Sequence, residues 1–125
     1  MPPDFTATFV SLKQPLRHSA PHLHAKTDTS AEYTLVGTSP SPFKQHKGEP
    51  MFFASVRTGK AYVSFHLLPL YMNETLSSKV SPALKKRMQG KACFNFRTPP
   101  EQDLLDELTR LTDEGFTCFR DRNWI

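Results

Sequence analysis

Lys85, Lys86 and Arg87 follow one another, with Lys91 four residues on. Cations of this kind hold phosphate or a similar anion when they converge on one place. On a helix, three consecutive residues fan across about 200°, at about 100° per residue, so they cannot all face one partner. The competing expectation is a solvated helix end whose cations offset the macrodipole. His22 and His24, two residues apart, would share one face of a strand, which suits two metal ligands but falls short of the three or four a stable site needs. Cys93 is the one candidate nucleophile, and its alternating apolar neighbours favour a buried thiol of high pKa. No G-x-S-x-G elbow, P-loop, H-E-x-x-H or dinucleotide fingerprint occurs. The expectation is therefore a protein that is not an enzyme, with no cofactor and no metal site.

These residues must be positioned by neighbouring elements, and the clearest of those is a hairpin. MFFASV and AYVSFHL are rich in aromatic and β-branched residues, and residues 57 to 60 join them. With a two-residue Thr58-Gly59 turn, Val56 would face Ala61, Ala54 would face Val63, and Phe52 would face Phe65, giving an apolar core face. The opposite face would then gather Met51, Phe53, Tyr62 and His66. Aromatic residues on an open sheet face need a cover, a ligand or a partner. Phe53, Tyr62 and His66 are accordingly the candidate ligand-binding residues, and Lys85, Lys86, Arg87 and Lys91 the candidate anion-binding residues.

The remaining chain supplies helices and loops. Phe5, Phe9, Leu12 and Leu16 recur at helical spacing behind Pro3 and Asp4, until Pro15 must kink or end the helix. Residues 23 to 36 read as one or two short strands ending in Tyr33 to Val36, and residues 37 to 50, with three prolines and two glycines, as a loop. Ser81-Pro82 opens a helix that Gly90 would end. Thr98-Pro99-Pro100-Glu101 looks like a capping box, and Leu104, Leu105, Leu108 and Leu111 form the stripe of a second helix that Gly115 and Phe116 would close. On that helix Asp106 and Arg110 form an i,i+4 pair, and Asp103, Asp106, Glu107, Asp113 and Glu114 read as its solvated face. The sequence thus predicts helices near 4–19, 82–89 and 99–114 and strands at 51–56, 61–67 and 92–96. The expected core is Phe9, Leu12, Phe52, Val63, Phe65, Leu84, Phe94, Leu104, Leu108 and Leu111.

Length and composition bound the class. The 125 residues fit one domain, 1–125, and 38% apolar residues with ten Phe can build one core. A net charge of +4 permits salt-sensitive attraction to nucleic acid or anionic surfaces without requiring it. Cys93 and Cys118 are too few for a disulfide framework. The N-terminal stretch lacks a basic segment leading into an apolar run, and no apolar stretch approaches the roughly 18 residues of a membrane span, so a soluble cytoplasmic protein is expected.

The order of elements, the hairpin MFFASVRTGKAYVSFHLLPLY and the strand-to-helix passage GKACFNFRTPPEQDLLDEL resemble the YdhG-like family of small domains, one member of which is described as an iron chaperone. The resemblance, from about Phe5 to Gly115, implies an α+β fold: a single domain, an antiparallel sheet with helices packed mainly on one face. It also implies an iron-handling role as a third alternative. The leading expectation is a small-ligand or protein-binding module, as monomer or homodimer and without a membrane partner; its rival is a weak nucleic-acid or anion binder.

Overall fold

A longer hairpin turn and a bulge set the register and the facing of the central residues. The computed structural model describes residues 5–125, so the Pro3 and Asp4 helix start lies outside the described residues. Helix α1 (Thr6–Lys13) is followed by single 3-10 turns at Gln14–Leu16 and Ala20–His22. Pro15 ends the α-helix as its missing N–H requires. Strands β1 (His24–Asp28), β2 (Glu32–Pro40), β3 (Pro50–Thr58) and β4 (Val63–Leu67) then run antiparallel in sequence order. Helices α2 (Leu68–Met72), α3 (Glu74–Ser77) and α4 (Pro82–Lys85) lead to β5 (Met88–Gln89), β6 (Cys93–Phe96) and the long helix α5 (Gln102–Asp121). The sheet order is β1-β2-β3-β4-β6-β5. This is the expected α+β architecture, a single unit with its helices mainly on one face.

The first irregularity is the β3–β4 turn. It occupies residues 59–62, closed by the Gly59 N–H donating to the Tyr62 carbonyl at 2.9 Å. Val56 therefore meets Phe65, and Ala54 meets Leu67, which corrects the expected register by four residues. An even slip keeps the faces, so Ala54, Val56, Val63 and Phe65 still point into the core. The second irregularity is a bulge. Leu35 pairs with Ala54 but Val36 pairs with Phe52, leaving Phe53 as an extra residue on β3. The bulge reverses the alternation: Met51 and Phe53 turn inward and are buried, whereas Phe52, expected in the core, turns outward and is half-buried.

Phe53 packs edge-on against Phe116 and Phe119 of α5, at 6.1 and 5.9 Å. Around it lie the expected core residues Phe9, Leu12, Val63, Phe65, Leu84, Phe94, Leu108 and Leu111, while Leu104 is only partly buried. Helix α5 begins three residues later than the sequence suggests. Pro100 keeps Pro99 out of the helical region, Glu101 takes the extended N-cap position without a side-chain cap bond, and no capping box forms. Nor does the helix stop at Gly115, where the missing Cβ lets it press on Pro69: a Cβ there would lie 2.7 and 2.8 Å from the Pro69 ring carbons. It ends at a Schellman motif instead. Asn123 adopts a left-handed φ of 60°, and the Trp124 N–H reaches the Phe119 carbonyl at 2.9 Å.

The helix expected over 82–89 is a single turn. Ser81 Oγ accepts the Leu84 N–H at 3.2 Å and starts it, but Arg87 gives its carbonyl to the Asn95 N–H at 2.8 Å and the chain then pairs with β6. Gly90, with φ of 79°, serves the β5–β6 turn and not a helix end. The 37–50 loop is shorter than expected, since β2 runs to Pro40. Asp106 accepts a bond from Gln102 at 2.8 Å, and among the described ion pairs it has none with Arg110. No helix among the described residues is long and apolar enough to cross a membrane.

Candidate anion-binding cleft

Alternation along β4 and β6 aims Ser64 and His66, and beside them Asn95 and Cys93, away from the helices. Ser64 pairs with Asn95 and His66 with Cys93. Cys93 and Ser64 both donate to Asn95 Oδ1, at 3.7 and 2.9 Å, and Asn95 Nδ2 donates to Gln89 Oε1 at 2.8 Å. The Tyr62 hydroxyl reaches the same Gln89 oxygen at 3.4 Å. Both amide oxygens are thus taken by donors, and among the described residues the Gln89 amide nitrogen has no hydrogen-bond partner and remains a donor.

At this end of the sheet lies a cleft of about 360 Å³, lined by Tyr62, Lys86, Arg87, Met88, Gln89, Asn95 and Arg97. The one-turn α4 delivers Lys86 and Arg87, the β5–β6 hairpin delivers Met88, Gln89 and Asn95, and Arg97 follows the end of β6. Among the described residues no carboxylate lines the cleft. Among the described ion pairs none involves Lys86, Arg87 or Arg97. Arg87 lies over the Phe96 ring, 5.8 Å from its centroid. A second cleft of about 590 Å³ shares Lys86 and Arg87 but adds Glu101 and Asp103, which oppose an anion there.

The position of this basic turn is fixed from below. Ser81 donates its backbone N–H to Glu107 Oε2 at 2.8 Å and its hydroxyl to Oε1 at 2.6 Å. Glu107 is therefore buried, at 7% exposure, and not part of the solvated face of α5.

The expected site residues separate. Tyr62, Lys86 and Arg87 meet at the cleft. Lys85 is exposed but does not line it, and Lys91, in the β5–β6 turn, sits 5.9 Å from the Tyr71 ring. Phe53 lies in the core on the other side of the sheet. His66 is on the open face, but four residues along β4 from Tyr62, with its ring edge-on to Phe52 at 5.2 Å. Burial holds the His66 pKa below the usual histidine value. Burial likewise raises the Cys93 thiol, an effect that the neighbouring Ser64 hydroxyl partly offsets. A neutral imidazole beside a protonated thiol is not an activated nucleophile. His22 stacks on Phe116 at 5.6 Å while His24 opens β1, so the two do not share a strand face. Among the described residues no group of three or more His, Cys, Asp or Glu is placed to hold a metal ion.

Met88, Gln89, Asn95 and Arg97 are the cleft residues that sequence reasoning missed. Arg97 has a legible signal, since it continues the alternation of Cys93 and Asn95 by one more step.

No protein-family model matches the chain, and neither a curated protein nor a solved structure matches it. The resemblance to YdhG-like domains gains no support from these comparisons.

Proposed function

We propose that the protein is a non-catalytic binding module whose ligand presents a phosphate or similar compact anion to the cleft beside Tyr62. One observation carries this: three cations, Lys86, Arg87 and Arg97, line a cleft that no carboxylate of the described residues lines. The free Gln89 amide adds a neutral donor, so the lining is chiefly donor in character, as an anion requires. The objection from helical spacing does not apply here, because only Lys86 and Arg87 of the basic run line the cleft and the third cation, Arg97, comes from the end of β6. This is a ligand-binding role and not chemistry, in keeping with the high pKa of Cys93. We place it in the cytoplasm, where thiols such as Cys93 and Cys118, both free here, stay reduced.

Isothermal titration with inorganic pyrophosphate at about 50 and 200 mM salt tests the proposal. Binding that weakens as salt rises, and that drops at least about tenfold in Arg97→Ala, is the expected result. Salt-independent binding, or binding indifferent to Arg97→Ala, would exclude the cleft as the anion site.

A further inference from the structure

We infer that the anion held at the cleft is the backbone phosphate of a single-stranded nucleic acid, whose bases lie across the open face of the sheet toward Phe52 and His66. This rests on the anion-binding role proposed above and names the ligand class for the same cleft.

The open face has the layout such a ligand needs. Its cations sit at one end, in the cleft with Tyr62. At the other end the Phe52 and His66 rings meet at 5.2 Å, both half-buried and turned away from the helices. Between the ends the outward side chains of β4 and β6 are short and polar: Ser64 and Asn95 share one cross-strand row, with the paired Arg57 and Glu32 further along it, and Ser55 and Cys93 flank His66 in the next. From Tyr62 to His66 the chain advances four residues, about 13 Å at strand rise. That length suits the two or three bases that a sheet face of this kind stacks.

Chemistry favours this occupant over others. Unstacked bases present π-faces to aromatic rings and their edges to amides and hydroxyls, while the backbone follows the cations. Duplex DNA would hide those faces, and its major groove is read by an inserted helix or ribbon, which this flat face does not supply. An acidic or phosphorylated peptide could meet the same cations, but it carries no bases to use the Phe52 and His66 rings at the far end of the face. The row next to the cleft carries no net charge against a phosphate. Arg57 lies opposite Ser64, and the carboxylate of that row, Glu32, is paired to Arg57 at 3.7 Å.

Fluorescence anisotropy with a labelled uridine decamer tests the inference. The decamer should bind at least about tenfold more tightly than a duplex of the same length, and more tightly than pyrophosphate. Phe52→Leu, which removes the ring and keeps apolar bulk, should weaken it by roughly five- to a hundredfold. Arg97→Ala should weaken it and lower the salt slope by about one charge. His66→Gln is the second ring variant, and the one that retains the wild-type melting temperature decides if the other does not. Equal affinity for duplex, preference for an acidic phosphopeptide, or unchanged binding in the well-folded ring variant overturns the inference. If pyrophosphate binds at the cleft but the decamer binds no better, the nucleic acid falls and the anion site stands. If neither binds, both fall.

Discussion

Glu107, in the second turn of α5, holds Ser81 by both carboxylate oxygens, at 2.8 Å to its N–H and 2.6 Å to its hydroxyl. The same Ser81 oxygen accepts the Leu84 N–H, so one buried carboxylate ties the long helix to the turn that carries Lys86 and Arg87. Replacing Glu107 with Ala leaves a part-buried N–H and hydroxyl without their acceptor. The expected loss is about 2–3 kcal/mol in denaturant melts, together with weaker anion binding because the basic turn is released. A variant of wild-type stability and affinity would show that the tie is dispensable.

Gly115→Ala should destabilise the fold by about 1–3 kcal/mol through overpacking against Pro69. The sign is informative, since Ala is intrinsically the better helix former by about 1 kcal/mol. With the added carbon 2.7 Å from Pro69 Cβ, the clash outweighs propensity. Thermal melts of the two proteins give the sign directly, and a raised melting temperature would mean that α2 yields easily.

Acid should weaken the protein at His66. Burial lowers its folded pKa, so the unfolded chain binds the proton more readily, at about pH 6.5. Stability from the neutral imidazole is therefore fully present above about pH 6.5 and is lost as pH falls from there through the lowered folded pKa. In His66→Gln the dependence of melting temperature on pH across that interval should become shallower. An unchanged profile would assign the acid sensitivity to other groups.

Cys93 should react slowly with a disulfide reagent near neutral pH, because its raised pKa keeps the thiolate scarce. Ser64→Ala, which removes a neighbouring hydroxyl that favours the thiolate, should slow it further. Measured at a single thiol in a Cys118→Ser background, faster reaction in Ser64→Ala would reverse the assigned cause.

The fold class was legible because alternation in β3, β4 and β6 and the leucine stripe of α5 are local signals. The extra residue at Phe53 and the length of the β3–β4 turn were not, because each is set by pairing with strands distant in sequence. That is why Phe52 and Phe53 exchanged faces. The cleft failed to emerge for a related reason: β5 exists only as a partner of β6, and without it residues 82–89 read as one helix with diverging cations. Glu107 did carry a signal. It lies three residues after Leu104 and four before Leu111, inside the apolar stripe, where a carboxylate needs a buried partner.

Backbone amide shifts during titration with inorganic pyrophosphate test the central claim most directly. The cleft predicts that the largest changes fall on Tyr62, on Lys86 to Gln89, and on Asn95 and Arg97, and that they vanish in the Lys86→Ala, Arg97→Ala double variant. Changes concentrated instead on the exposed lysines Lys44 and Lys47, or surviving intact in the double variant, would contradict it.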